Sequence, residues 1–355
     1  MTLEFRNVAK HVGAETHIHE CSFSLAPDGF NVLLGATNAG KTTLIKMMAH
    51  LDRPSSGEIW FNGENVTHVR TQKRNVSLVH QFFVNYPHMS VFENIASPLR
   101  VAGVPKAEIK RRVQETAALL KLEPFLSRRP AELSGGQQQR TALARALVKD
   151  SDLVLLDEPL VNLDYKLREE LREELPRLLR GRNALVVYAT SEPSEALMLV
   201  GRTVALHEGR VTQVGDTAKV YRQPTNLVTS RAFSDPPINT ARVTKRGDRI
   251  KLSADIAWTA HGPIETAADG DYIVAIRPHY ISPIASDGVV TEITGRVLIT
   301  ELSGSESTAH FAFGENVWVS LSHGVHSYSI GESHTFHMAT AGCLYFMPDG
   351  TRLAA

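Results

Sequence analysis

Cysteine is nearly missing from this sequence: Cys21 and Cys343 are the only two in 355 residues. Two thiols so far apart make no disulfide framework, and the fold has to rest on buried apolar side chains. An excess of charge is missing as well. Lys and Arg number 38, Asp and Glu also 38, so no net field draws the chain onto nucleic acid or anionic lipid. Long apolar runs are absent too, none approaching the roughly twenty residues that cross a bilayer. The opening MTLEFRNVAK has no apolar core of the signal-peptide kind. Together these absences predict a cytoplasmic chain with no nucleic-acid partner, whose membrane role comes only through other subunits. The length admits a large domain and a smaller one.

The most informative stretch is GATNAGKTT, comprising Gly35, Ala36, Thr37, Asn38, Ala39, Gly40, Lys41, Thr42 and Thr43. It fills every fixed position of G-x-x-x-x-G-K-[ST]. The apolar run Phe30 to Leu34 before it reads as a buried strand, and Thr43 to Leu51 after it as a helix. In that context glycines let consecutive backbone N–H groups curl around a phosphate, and the start of the helix adds its positive dipole end. Lys41 then supplies a point charge to the outer phosphates, and the Thr42 hydroxyl is a ligand for the magnesium ion bridging them.

Around this loop the sequence alternates strands and helices. Leu3 to Val8 and Thr16 to Leu25 read as paired antiparallel strands, Glu58 to Phe61 as a short strand followed by the hairpin turn Asn62-Gly63, and Asn75 to Val79 as a further strand. Between residues 86 and 149 the texture becomes helical, punctuated by prolines, and predicts an inserted helical subdomain. Asp152 to Leu156 and Ala184 to Thr190 are apolar enough for buried parallel strands, with helices over Asp164 to Arg180 and Pro193 to Leu199. Past about Asp235 only short strand-like segments remain, separated by Gly, Asp and Ser turns. The expected fold is an α/β P-loop, RecA-like ATPase core over residues 1–234 carrying that helical insert, then an all-β, OB-like barrel over 235–355.

Two more motifs stand in order behind the phosphate loop. Leu133-Ser-Gly-Gly-Gln137 precedes the strand Leu153 to Leu156, which ends in Asp157-Glu158. A carboxylate at the carboxyl end of a buried strand is placed to hold magnesium, and its neighbour to orient water. With all three motifs in sequence, the chain resembles an ABC-transporter ATPase. Further stretches, Val220 to Pro224, Phe233 to Asn239 and Ile276-Arg-Pro278, are similar to the maltose-type importer subgroup with its C-terminal TOBE barrels. Tyr165 to Leu175 and Ser191 to Leu197 are closest to the S-type ATPase of bacterial glycerol importers. The resemblance implies ATP and Mg2+ as cofactors and a metal held by Thr42, Asp157 and the Q-loop glutamine Gln81. It makes Glu158 the catalytic glutamate, with Gln81 and Lys41 beside it. Asp164 matches the D-loop, and Ser134, Gly135, Gly136 and Gln137 would close on nucleotide held by a second ATPase domain. Two transmembrane permeases and a periplasmic or extracellular substrate-binding protein are the other implied partners, at the cytoplasmic face of the bacterial inner membrane.

Two positions depart from that pattern. Where the family has a switch histidine this chain has Ser191, which reads as the N-cap of the helix holding Pro193 in its first turn. Where the family has an aromatic residue to stack on adenine this chain has Val12, which can pack but not stack; His11 or His17 could substitute, though both read first as solvated loop residues. Both departures predict a degenerate site of its own and a non-identical second ATPase. A hydrolytically weak regulatory subunit, and an importer ATPase for another sugar or sugar phosphate, are the alternatives. The pairs His323/His326 and His334/His337 have ligand-like spacing, but residues three apart on a strand face opposite ways, and no metal is assigned to them.

Overall fold

The computed structural model describes residues 1–353 apart from Asp28, Asn162, 181–183, Ser286 and Asp287. The chain divides into two compact units, Met1–Ala218 and Lys219–Ala355.

In the first unit the order is β1 (Leu3–Val12), β2 (Glu15–Leu25), β3 (Phe30–Leu34), α1 (Lys41–Met48), β4 (Ser56–Phe61), β5 (Glu64–Asn65) and β6 (Val76–Val79). Then come α2 (Val91–Val101), α3 (Lys106–Leu119), α4 (Gly135–Leu147), β7 (Leu153–Asp157), α5 (Tyr165–Arg180), β8 (Leu185–Thr190), α6 (Pro193–Leu199), β9 (Gly201–His207) and β10 (Arg210–Asp216). Six strands in the order β10-β9-β3-β8-β7-β6 make the main sheet, parallel except for the edge pair β9/β10. Its central strands β3, β7 and β8 are buried at every residue, as sheet covered on both faces requires. A second sheet, β2-β1-β4-β5, is antiparallel throughout. Its alternating apolar residues, among them Leu3, Phe5, Ile18 and Leu25, share one core with Leu44, Ile45, Met47 and Met48 of α1. Asn62 and Gly63 both have positive φ, 51° and 80°, the mirror-image turn that matches strand twist in a two-residue hairpin.

The helical insert is α2, α3 and α4. Ser90 opens α2 with a capping box: its side chain accepts from the Glu93 N–H while the Glu93 carboxylate accepts from the Ser90 N–H. Asn94, fully buried on α2, donates to the carbonyls of Tyr86, Met89 and Ser90 and so fastens the connecting loop to the helix.

The second unit opens with the last residues of α7 (Thr217–Arg222), then α8 (Leu227–Ala232). Ten strands follow: β11 (Asn239–Arg246), β12 (Arg249–Lys251), β13 (Ala257–Thr259), β14 (Gly270–Ile276), β15 (Ile281–Ser282), β16 (Val290–Leu302), β17 (Glu306–Phe313), β18 (Asn316–His323), β19 (Ser333–Ala339) and β20 (Leu344–Phe346). They pair antiparallel throughout as β13-β12-β11-β14-β20 and β15-β19-β16-β17-β18. The two sheets enclose a common core of Trp258, Val274, Ile276, Phe311, Trp318 and Phe336, a nearly closed barrel of the OB-like TOBE kind.

This unit reaches further back than Asp235, where the helical texture of the sequence stops. Arg277 is the reason. Its buried guanidinium donates to the carbonyls of Phe233 at 3.0 Å and Tyr221 at 2.8 Å and lies 3.8 Å over the Tyr221 ring. Burial pulls its pKa down, and the two carbonyls and the ring face are what compensate the buried charge. Leu227 adds apolar contact with Ile238, Ala275 and Phe346. Of the histidine pairs, His326 turns its Nε2 to the His323 carbonyl, while His334 packs its ring against Tyr328 and Phe336.

Candidate nucleotide site

The site forms where β3 ends and α1 begins. Gly35 leaves the strand so close to the neighbouring β9 that a Cβ there would lie 2.5 Å from the Leu206 carbonyl oxygen. Gly40 is the N-cap of α1 with φ 103°, a left-handed conformation that a side chain rarely adopts, and a Cβ would meet Ile18 Cδ1 at 2.6 Å. Asn38 is also left-handed, with φ 66°. The loop therefore curls back on itself, and α1 presents its first, unbonded N–H groups at the loop's mouth.

Lys41 is buried, and its Nζ donates to the loop carbonyls of Gly35 at 2.7 Å and Ala36 at 2.9 Å. The same ammonium lies 3.2 Å from Glu158 Oε1. Glu158 Oε2 accepts from Gln81 Nε2 at 3.2 Å. One carboxylate is thus held between a lysine from α1 and an amide from the end of β6. Glu158 itself sits at φ 48° with its N–H on the Ala189 carbonyl, so the backbone turns sharply out of β7 and swings the side chain toward the loop.

Asp157 ends β7, two strands across from β3. Its Oδ1 accepts from Thr42 Oγ1 at 3.1 Å, while Oδ2 is buried and has no hydrogen-bond partner among the described residues. Burial raises the Asp157 carboxyl above the ordinary range; the Thr42 hydrogen bond pulls it down and the neighbouring Glu158 charge pushes it up. An unsatisfied carboxylate oxygen beside a threonine hydroxyl is a hard, all-oxygen donor set, and it fits a magnesium ion. Around these groups lies a cleft of about 630 Å³. Its walls are Thr37, Asn38, Gly40, Lys41, Thr42 and Thr43 of the loop, Gln81 and Glu158, and Glu15, Thr16, His17, Glu208 and Gly209.

The sequence profile of the ABC transporter family matches residues 18–161. The sn-glycerol-3-phosphate import ATP-binding protein of Ralstonia nicotianae is 35% identical over 320 residues, covering 88% of this chain and 86% of that one. The chain belongs to the ABC transporter ATP-binding proteins. The same-named proteins of Pectobacterium atrosepticum, at 34% over 347 residues and 96% and 95% of the two chains, and of Escherichia coli, at 36% over 317 residues and 88% of each, agree. Among solved structures, a dimeric ATP-binding cassette in a post-hydrolysis state bound to ADP and Pi is similar with a TM-score of 0.56 and 26% identity. It covers 61% of this chain and 98% of its own. This ABC subunit is accordingly an ATPase whose turnover is coupled to transport, and its cassette binds ATP. Among the described residues no helix is long and apolar enough to cross a membrane.

In this ABC ATPase the remaining residues singled out in the sequence lie elsewhere. Ser134 caps α4, accepting from the Gln137 N–H while its own N–H donates to Gln137 Oε1. Ser134 and Gly135 are exposed, and neither they, Gly136, Gln137, Asp164 nor Ser191 lines the cleft. Val12 does not line it either; it sits half exposed on β1, opposite Glu15.

Ser191 is not the cap of α6. That position is Glu192, and Thr190 serves the turn instead, its Oγ1 accepting from the Glu192 N–H at 3.0 Å and donating to Glu195 Oε2 at 2.6 Å. Glu195 is buried, also accepts from Tyr188 OH at 3.0 Å and faces Arg172; burial raises its pKa. The cap was misplaced by one residue because a threonine at a strand's end and a serine after it offer the same hydroxyl, and only β8's register decides between them. No local pattern in the sequence marks Glu15, Thr16, Glu208 or Gly209. They reach the cleft through strand pairing and a distant turn.

Proposed function

We propose that this chain is the ATP-binding subunit of an importer for a small polyol or sugar, seated on the cytoplasmic face of the inner membrane beneath two permeases that an external binding protein feeds. Glycerol or its phosphate ester is the favoured cargo. The observation that carries the reading is the convergence of Lys41, Thr42, Gln81 and Glu158 on one cleft, with Asp157 hydrogen-bonded to Thr42 just behind its wall. In it, the loop N–H groups from Gly35 to Thr43 and the Lys41 ammonium hold the outer phosphates. Glu158 orients the attacking water. Thr42, Asp157 and Gln81 would hold Mg2+, which neutralises phosphate charge when bound. The cargo assignment is supported by relatives named for sn-glycerol-3-phosphate import. Its test is uptake into vesicles carrying this chain, its permeases and binding protein, with ATP inside. Labelled glycerol or glycerol 3-phosphate is expected to accumulate, and accumulation of neither, with another sugar carried instead, sinks that assignment.

The permeases would dock on the helical insert. A groove of about 530 Å³ runs between Arg74 to Leu78 and the helices α2 and α4, with Tyr86 and Arg145 on its wall. Phe82, Val84 and Val101 are exposed nearby, at 79%, 61% and 91%. Arg74 lies on the wall of the groove, with its Nη1 and Nη2 buried and without a hydrogen-bond partner among the described residues, so what the groove's surroundings offer a partner is chiefly exposed apolar surface. Cysteine crosslinks from permease cytoplasmic loops are expected at residues 82–101. Labelling confined to residues beyond Asp235 would move the docking surface to the barrel.

The reading extends to the assembly. Ser191 cannot carry charge or reach as an imidazole does, so the chain's own site turns over slowly and a non-identical ATPase supplies the fully equipped one. The same substitution favours the second reading, a regulatory subunit with weak hydrolysis of its own. Brisk turnover by the purified chain alone excludes that one.

A further inference from the structure

Two adjacent carbonyls at the end of β8 hold two parts of the nucleotide site. β8 lies between β3 and β7. Ala189 turns its carbonyl to the Glu158 N–H at 3.0 Å, and Thr190 turns its own to the Gly35 N–H at 3.4 Å. The turn that carries Glu158 and the start of the phosphate loop therefore hang from one strand end. We infer that Glu195, which lines no part of the cleft, is the positioning residue for that end: it fixes the last residues of β8 and, through them, Glu158 and Ser191. The inference rests on reading Glu158 as the residue that orients the attacking water.

Tyr188 and Thr190 are two apart on the strand and share a face, from which both hydroxyls donate to a single oxygen, Glu195 Oε2, at 3.0 and 2.6 Å. With its proton aimed at Glu195, Thr190 Oγ1 keeps a lone pair for the Glu192 N–H, 3.0 Å away, and so spans Ser191 and sets the turn around it. The carboxylate is steadied from α5. Arg172 Nε lies 3.7 Å from Glu195 Oε1, while the same guanidinium pairs with Glu169 and Glu192. Arg168, one turn earlier on α5, adds a 3.0 Å pair to Glu192 Oε1.

Packing by itself does not call for an acid here. Glu195 and Tyr188 are buried beside Leu160, Leu171, Leu175 and Leu199, where an apolar side chain of similar volume would avoid the cost of desolvating a carboxylate. What an apolar side chain cannot do is draw two rotatable hydroxyls to one point. That acceptor is what holds the strand end in a single arrangement.

ATP hydrolysis by the full chain and calorimetric affinity for magnesium-ATP test this together. Glu195→Met combined with Tyr188→Phe removes the acceptor without stranding the buried tyrosine hydroxyl. Turnover is expected to fall about tenfold or more, within the roughly hundredfold that a misplacement of about 1 Å can cost. The melting temperature and the ATP affinity are expected to hold, because Lys41 and α1 grip the phosphates independently. Glu195→Gln keeps an acceptor oxygen for both hydroxyls and is expected to retain most of the turnover. Unmoved turnover in the double variant overturns the assignment. An equal loss in Glu195→Gln does so too, as does a loss of turnover that comes only with lost melting temperature and ATP affinity, the mark of a merely structural role. Turnover absent from the unaltered chain, or unmoved by Glu158→Gln, overturns instead the reading of Glu158.

Discussion

Gly135→Asp is expected to abolish transport without unfolding the chain. Gly135 is exposed at the first turn of α4, and a Cβ built on it meets nothing within 4 Å. A carboxylate at a helix start is, if anything, stabilising, because it complements the dipole. Local physics therefore predicts an unchanged or slightly raised melting temperature. The damage lies in the assembly. If Ser134 to Gln137 face a phosphate held by the second ATPase, a carboxylate there repels the very group the N–H donors are meant to attract. Losing one transition-state contact of this kind costs about a hundredfold or more in rate. Turnover of the assembled transporter should fall by at least that factor while ATP binding to this chain alone stays intact.

Glu158→Gln on this chain should cost less than the corresponding change on the second ATPase, since the site here already has Ser191 at the switch position. Parallel rate measurements on the two single mutants decide the matter. Equal and complete loss from each would show that both sites fire, and assembly of this chain only with itself would remove the asymmetric pairing altogether. In that case Gly135→Asp would still be expected to abolish turnover, since two identical chains would each present Ser134 to Gln137 to the other.

The second large effect is at Lys41. Lys41→Ala removes the ammonium that is proposed to meet the outer phosphates and that, in the structure, ties Gly35 and Ala36 to Glu158. Affinity for magnesium-ATP is expected to drop by about a hundredfold, the scale of deleting one member of a buried, hydrogen-bonded charge pair. Isothermal titration reads this directly, and an unchanged dissociation constant would count against the phosphate-loop assignment. The accompanying melting temperature separates lost binding from a loosened loop, because Glu158 keeps Gln81 as a partner when Lys41 is gone.

What this sequence determined on its own is whatever a contiguous run of residues can encode. The strand Phe30–Leu34 and the loop behind it need no distant partner to be recognised, because the motif is a fixed local spacing and Gly40 meets a local demand for left-handed backbone. The same holds for the Ser134 capping box, the Asn62-Gly63 turn, the all-apolar strands β7 and β8, the helix Pro193–Leu199 and the change of texture to an all-β barrel. Each is a statement about neighbours in the chain, and each signal was strong because propensity and pattern agree there. Tertiary structure alone decided the rest. Val12 and His17 are five positions apart, and that His17 lines the cleft while Val12 does not depends on the register of β1 against β2 and on Gly209, nearly two hundred residues away. Glu158 finds Lys41 and Gln81 only because β3, β6 and β7 belong to one sheet. Residues 221–233 belong with the second unit in part because a buried arginine at 277 takes the carbonyls of Tyr221 and Phe233. Desolvating a charge or closing a cleft is a requirement on space rather than on sequence order, and so these were set by packing.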